Sequence, residues 1–300
     1  MALGIKDRLR LLIAFGAGSA VMTDDIGTER EEELFYCLMH DERLSEDYYV
    51  SRLRVIEEDY LNYILGKCES GGIHIVTPEC DDYPEDLRHI ADPPQLLFVL
   101  GDIGAVNRMS TVAMVGKREA DGYSEAVAGR FAGDLVRFGE VNIISGFARG
   151  IDRASHFGAM DAGGSTTAVL GCGILYDYPY HSEGIKRRIA EKGAVVSEYL
   201  PTKAPDRDSF KVRNRLISGM ADCVLIVQAG SSSGALNTAS HAAEQGREVF
   251  VIPPADIFAE RYAGQMKLLD EGASLAITPR IILEYLNDLY GTQEILGTFL

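Results

Sequence analysis

From about Gly66 onward the chain alternates short, unbroken apolar runs with longer stretches of mixed polarity. The runs are LLFVL (96–100), TVAMV (111–115), VNII (141–144), TTAVL (166–170), AVV (194–196), CVLIV (223–227), VFVI (249–252) and SLAI (274–277). A strand with one wet face alternates apolar and polar side chains. A strand covered on both faces does not, so these runs predict strands sandwiched between helices. Helical patterns of roughly 10–16 residues separate most of them, which predicts an α/β fold with a doubly wound, mostly parallel sheet. Ahead of this region the pattern changes. EEELFYCLMHDERL and YYVSRLRVIEEDYLNYIL space their apolar residues as helices do, with few glycines. We therefore expect a small all-helical N-terminal module over 1–66, a sheet domain over 67–280, and a C-terminal helix (IILEYLNDLY) with a tail over 281–300.

In doubly wound sheets, ligands bind beyond the carboxyl ends of the strands, where strand-to-helix turns and helix N-termini gather. Three such turns carry unusual residues. After TVAMV come Gly116, Lys117 and Arg118, with Asp121, Gly122 and Tyr123 opening a helix. After VNII, Ser145, Gly146, Arg149 and Gly150 lead into a helix beginning near Ile151. After CVLIV, Gly230, Ser231, Ser232, Ser233 and Gly234 precede the helical ALNTASHAAEQG. Glycines let a ligand approach the backbone closely, free amides at a helix start donate to anionic oxygens, and arginine adds charge. Each turn is a candidate phosphate cradle, although tight turns of this kind also need glycine for steric reasons alone.

Composition narrows the choice. The net charge of −16 speaks against a surface evenly coated to bind polyanions. The acid is concentrated: positions 24–59 hold thirteen Asp or Glu against four Arg. The base is concentrated elsewhere. Positions 186–215 hold nine Lys or Arg against four acids, and within them DSFKVRNRLISGM sets Phe210 among Arg207, Lys211, Arg213, Asn214 and Arg215. Cations that fix a phosphodiester backbone beside a ring that stacks on an unpaired base are the chemistry of single-strand binding. The competing interpretation is structural: a core Phe210, arginines paired with the acidic module, and Asn214 as a helix cap. No window reaches the roughly 18 apolar residues of a membrane span, so we expect a cytoplasmic protein that makes no membrane contact. The five cysteines (37, 68, 80, 172 and 223) form no CxxC pair, predicting free thiols and no metal site.

SGFARGIDRASHFGAM (145–160), TTAVLGCGILYDYP (166–179), GAVVSEYLP (193–201) and FKVRNRLISGMADCVLIVQAGSSSGALNTASHAAEQGREVFVIP (210–253), with IHIVTPECDDYPEDLRHIADPPQLLFVLGD (73–102), together resemble the DprA/Smf family. The resemblance implies an extended Rossmann-like core. It also implies a non-enzymatic recombination mediator that binds and shields single-stranded DNA, dimerises, and loads the RecA recombinase during natural transformation. By motif, the implied DNA-binding residues are Arg118, Gly146, Arg149, Gly150, Arg207, Phe210, Arg213, Asn214 and Arg215, with Ser233 and Gly234 as further loop candidates. Lys211 stands where the family has proline and adds a cation, and Arg207 replaces a lysine. Gln228 replaces a usual glutamate and Asn237 an aliphatic residue. Pro254 and Met266 replace a glycine and an asparagine in the region after residue 252. The N-terminal region lacks a hairpin-glycine signature, and no winged helix is expected after Thr278.

The alternative class is a nucleotide sensor or a phosphoribohydrolase-like enzyme on the same fold. The turn AGSSSGALNTASHA lacks the PGGxGTxxE pattern of those enzymes, and no catalytic carboxylate is assigned. Asp152 and His156, one helical turn apart, are expected to be a packing pair rather than an acid–base pair. No GxSxG elbow or dinucleotide fingerprint is present, so no cofactor is expected. A third possibility is a protein-interaction platform without DNA binding.

Overall fold

The computed structural model describes residues 4–17, 53 and 55–291. Of the acidic stretch at 24–59 expected to be helical, residues 24–52 and 54 lie outside the described residues. In chain order the described elements are α1 (Ile5–Phe15), α2 (Glu58–Gly71), β1 (His74–Val76), β2 (Leu97–Gly101), α3 (Ala105–Arg108), β3 (Thr111–Gly116), α4 (Gly122–Gly139), β4 (Asn142–Ser145), α5 (Ile151–Asp161) and β5 (Thr166–Leu170). There follow α6 (Glu183–Ala190), β6 (Ala194–Ser197), α7 (Arg207–Gly219), β7 (Cys223–Gln228), α8 (Gly234–Glu244), β8 (Glu248–Val251), α9 (Ala263–Asp270), β9 (Ser274–Leu275) and α10 (Pro279–Tyr290).

The nine strands form one sheet in the order β1-β2-β6-β5-β4-β3-β7-β8-β9. Every neighbouring pair from β6 to β9 is parallel, while β2 runs antiparallel to both β1 and β6. All eight apolar runs contribute strands. The pattern missed β1, a three-residue edge strand too short to leave a signal. From β3 the chain winds outward through β4, β5 and β6, then crosses back to β7 and winds the other way. The carboxyl ends of β3 and β7 thus flank the switch point, where the two sets of turns diverge and leave a crevice.

Both sheet faces are dry. On β3, Val112 and Met114 point to the face covered by Ala128, Leu135, Ile282 and Leu283, while Ala113 and Val115 point to the face covered by Leu216, Ile217, Ala235 and Ala239. This double burial is why the runs are unbroken. A third cluster joins Leu9, Leu61, Ile64 and Ile189 to Phe98, Ala168, Leu170 and Val195. The boundaries expected at 66/67 and 280/281 therefore fall inside α2 and α10. Both helices contribute buried apolar residues to these clusters.

Candidate nucleic-acid interface

Two adjoining clefts open at the carboxyl rim of the sheet. The smaller, about 300 Å³, lies beyond β4 and β5 and is lined by Gly146, Arg149, Gly171, Tyr178, Tyr180 and neighbours. The larger, about 790 Å³, occupies the switch point and is lined by Lys117, Asp152, Asn214, Ser233, Asn237 and others. Arg118 and Phe210 line both.

Local sequence fixes each turn. Asp121 accepts from the Ser124 amide (2.8 Å) to start α4, and Ser233 Oγ accepts from the Ala235 amide (3.3 Å) to start α8. Asp206 and Ser209 cap α7 reciprocally, the Ser209 amide donating to Asp206 Oδ1 at 2.7 Å. Gly150 has φ +72°, and a Cβ there would stand 2.3 Å from the Lys117 carbonyl oxygen. Only glycine lets the second turn close against the first.

Helix α7 supplies the centre of the site. Phe210 is half-buried; its ring lies 5.5 Å from that of Tyr178, and the Arg118 guanidinium carbon sits 4.8 Å from its centroid. That guanidinium is in cation–π contact with the ring and itself presents a flat, exposed surface. Arg207 and Lys211 are exposed on the same side, with Lys211 Nζ 3.3 Å from Asp208. Asn214, rather than capping a helix, ties α7 to α8 by donating to Asn237 Oδ1 (3.0 Å) and the Gly234 carbonyl (3.4 Å). The departure at 237 thus supplies a hydrogen-bond partner where an aliphatic side chain could not.

Two arginines expected to meet phosphate do something else. Arg213 is 4% exposed, and its Nη1 donates to the carbonyl oxygens of Gly146 (2.7 Å) and Val169. Burial pushes its pKa down to about 10, with Asp152 opposing the shift. The Asp152 carboxyl is in turn raised by burial, with Arg213 opposing, and accepts from the Ala148 amide at 3.2 Å. A Cβ on Gly146 would come within 2.8 Å of both Arg213 and Asp152, so glycine there makes room for the pair that holds the turn.

Arg215 lies outside both clefts. It is 4% exposed, with Nη2 donating to Glu198 (2.8 Å) and Nε to Asp92, and these carboxylates raise its pKa. The structure thus places Arg215 in a buried ion pair away from the clefts rather than at the surface where a phosphate would meet it. Its partners among the described residues are Glu198 and Asp92.

Of the other expected residues, Arg118 and Arg149 stand exposed at the mouth, Ser233 and Gly234 line the larger cleft, and Gly150 shapes the turn without lining either. The basic stretch is not one patch. Lys186 is buried, donating to the carbonyls of Ile174 (2.9 Å) and Tyr176 (2.6 Å), and Arg187 pairs with Glu183. His156 is a core residue, although its partner is Thr166 (2.7 Å) and burial pushes its pKa down to about 3. Sequence reasoning placed Lys117 in the first turn without making it a DNA-binding candidate, and it passed over Tyr178 and Tyr180. The density of tyrosine in YDYPY, between a strand and a helix at the ligand-binding edge, was the available signal. In the region after residue 252, Gln265 is fully buried. It donates to the carbonyls of Val227 (3.1 Å) and Ile252 (2.8 Å), fastening the ends of β7 and β8.

Among the described residues no helix is long and apolar enough to cross a membrane, no group of three metal-binding side chains occurs, and Cys68, Cys80, Cys172 and Cys223 are free.

A doubly wound sheet with a cationic, aromatic crevice at its switch point defines a class of Rossmann-like ligand-binding proteins. Within that class the chain belongs to the DNA recombination-mediator protein A family, the DprA/Smf proteins, which it matches over residues 74–287. It is 34% identical over 233 residues to DNA processing protein DprA of Bacillus subtilis, covering 77% of this chain and 78% of that one. The X-ray structure of DNA processing protein A from Streptococcus pneumoniae superposes with a TM-score of 0.81 at 28% identity, covering 95% of this chain and 98% of that chain. The Helicobacter pylori protein, whose structure is described as giving insight into its unique single-stranded DNA binding mode, superposes at 0.63 and 28% identity. It covers 72% of this chain and 96% of that chain.

Proposed function

We propose that this chain binds single-stranded DNA across the two clefts and serves as a recombination mediator rather than as an enzyme. The observation that carries the reading is the Phe210 ring, half-exposed between two cavities, with the Arg118 guanidinium against it and Arg149, Arg207 and Lys211 exposed around it. Unpaired bases stack on such a planar surface while the phosphates meet the cations. A duplex keeps its base faces covered and forfeits the stacking. The single-strand binding described for the Helicobacter pylori relative agrees with this.

Loading of RecA, shielding of incoming DNA and homodimerisation belong to the same proposal and draw on family membership. Exposed Ile257, Phe258, Leu275 and Ile277, in segments at or following β8 and β9, offer apolar surface for a second copy. Fluorescence polarisation with an oligo-dT and its duplex counterpart over a salt series is the test. We expect preference for the single strand and a strongly negative slope of log K against log salt. Equal affinity for both forms overturns the reading. Asp152 gives the enzymatic alternative its one foothold, as a carboxyl of raised pKa lining the larger cleft. Release of free base from a nucleoside monophosphate would support that alternative, and we expect none.

A further inference from the structure

The segment between β5 and α6 holds three tyrosines. Tyr178 leans on Phe210, whereas Tyr180 is 76% exposed at the rim of the smaller cleft. An exposed ring gains nothing from packing, so nothing in its own burial requires its backbone to be fixed. Yet the segment is fixed. Asp177 accepts from the amides of His181 (3.0 Å) and Ser182 (3.1 Å), and these bonds hold its pKa below the usual carboxylate range. His181 is held at φ +63°, a conformation costly for a residue with a Cβ. From the other side, buried Lys186 spends its charge on the carbonyls of Ile174 and Tyr176. The loop is thus clamped by two charged side chains, and what it presents is a tyrosine ring.

We propose that Tyr180 is a second stacking station for single-stranded DNA, taking a base adjacent to the one held at Phe210. This deepens the proposed function and rests on it. Tyr180, Phe210, Arg118 and Arg149 all line the same cleft, so a strand running from Phe210 to Tyr180 has cations beside its phosphates. A ring on a rigid loop loses little conformational entropy when a base settles on it, and every base has a face to offer, so the station is tolerant of sequence. Lys186, from the most basic part of the sequence, is a positioning residue for this ring rather than a phosphate contact.

The chain contains no tryptophan, so Tyr180→Trp creates a single-indole reporter in the full-length protein. Titration with oligo-dT is expected to quench the indole emission saturably, with the midpoint that polarisation gives. Tyr180→Ala is expected to lose about five- to tenfold in affinity at an unchanged salt slope, the lower end for a stacked base, and Tyr180→Phe to bind as wild type. An indole emission unmoved at saturating oligo-dT, or wild-type affinity in Tyr180→Ala, overturns the proposal. If Phe210→Ala still weakens binding in that case, only the Tyr180 station falls. If the wild-type chain binds no oligonucleotide, the single-strand reading falls with it.

Discussion

Helix α7 has two sides that share a composition and differ in what they do. Arg207, Phe210, Lys211 and Asn214, spaced by three or four residues, line one stripe that faces the larger cleft. Arg213 borders the same cleft but is buried, and it and Arg215 turn inward in different directions. Arg213 goes under the Gly146 turn, and Arg215 goes into a carboxylate pair on Glu198 and Asp92. The residue type says only that a cation is present. Its angle on the helix decides whether the charge meets solvent or is consumed in holding the scaffold. Cations in front of Phe210 should therefore report in DNA binding, and those behind it in stability.

The sharpest way to break this division is Arg215→Ala. It leaves Glu198, 6% exposed at its side chain, without the buried cation opposite it. Removing one partner of a buried pair costs about 3–5 kcal/mol, so the urea midpoint should fall steeply. The salt slope of DNA binding by the protein that remains folded should not change. A flattened slope with stability intact would place Arg215 on the DNA and reverse the assignment.

Phe210→Ala is the complementary test from the front. Loss of a stacking platform is worth about 1–3 kcal/mol in affinity and involves no counterion release, so binding weakens at an unchanged slope. Wild-type affinity in this variant would make the ring a wall of the cleft and nothing more.

Behind the site, His156 tests the same division through pH. Thr166 Oγ1 donates to the Ile143 carbonyl (2.6 Å), so it accepts from His156 Nδ1–H, and the neutral ring is the buried form. With a folded pKa of about 3 against an unfolded value of 6.5, the unfolded chain binds a proton that the folded chain refuses between those limits. Stability is retained above pH 6.5 and falls as the pH drops through the window, by at most about 1.4 kcal/mol per pH unit. Urea unfolding at pH 6.5 and 5.5 should show this fall in the wild type, and His156→Gln should lack that portion. An identical pH dependence in both would remove His156 from the core account.

Much of this was legible in the sequence, and what was not has a physical pattern. Unbroken apolar runs announced the strands because Val112 and Ala113, on adjacent positions, are both fully buried on opposite faces. The turns at Lys117, Gly146 and Gly230 were legible because strand-to-helix connections at the carboxyl edge need glycine. The reversal of β2 was not, since direction in a sheet depends on which strand becomes its neighbour, a long-range property. The division of α7 was equally hidden. Glu198 and Asp92 lie 17 and 123 positions from Arg215, and no local pattern connects them. The tyrosines at 178 and 180 were in plain view but were read as part of a strand-to-helix connection, because periodicity has nothing to say about a loop.

The smallest effect is also the most discriminating. Lys211 is a departure from the family pattern, exposed on the cleft stripe and paired only loosely with exposed Asp208. A surface pair of this kind contributes about 0–1 kcal/mol to folding, so Lys211→Gln should leave the urea midpoint where it is. If Lys211 meets a phosphate, the salt slope should shrink by about 1, with affinity at physiological salt changed by less than about tenfold. Arg207→Gln should do the same, and the double variant should lose about twice the slope, since each contact releases its own counterions. Stability unmoved and slope reduced at 207 and 211, set against stability lost and slope unmoved at 215, is the signature of one helix divided between scaffold and ligand. A slope indifferent to both exposed cations would instead put the strand on the other side of Phe210, along Arg149 and Tyr180.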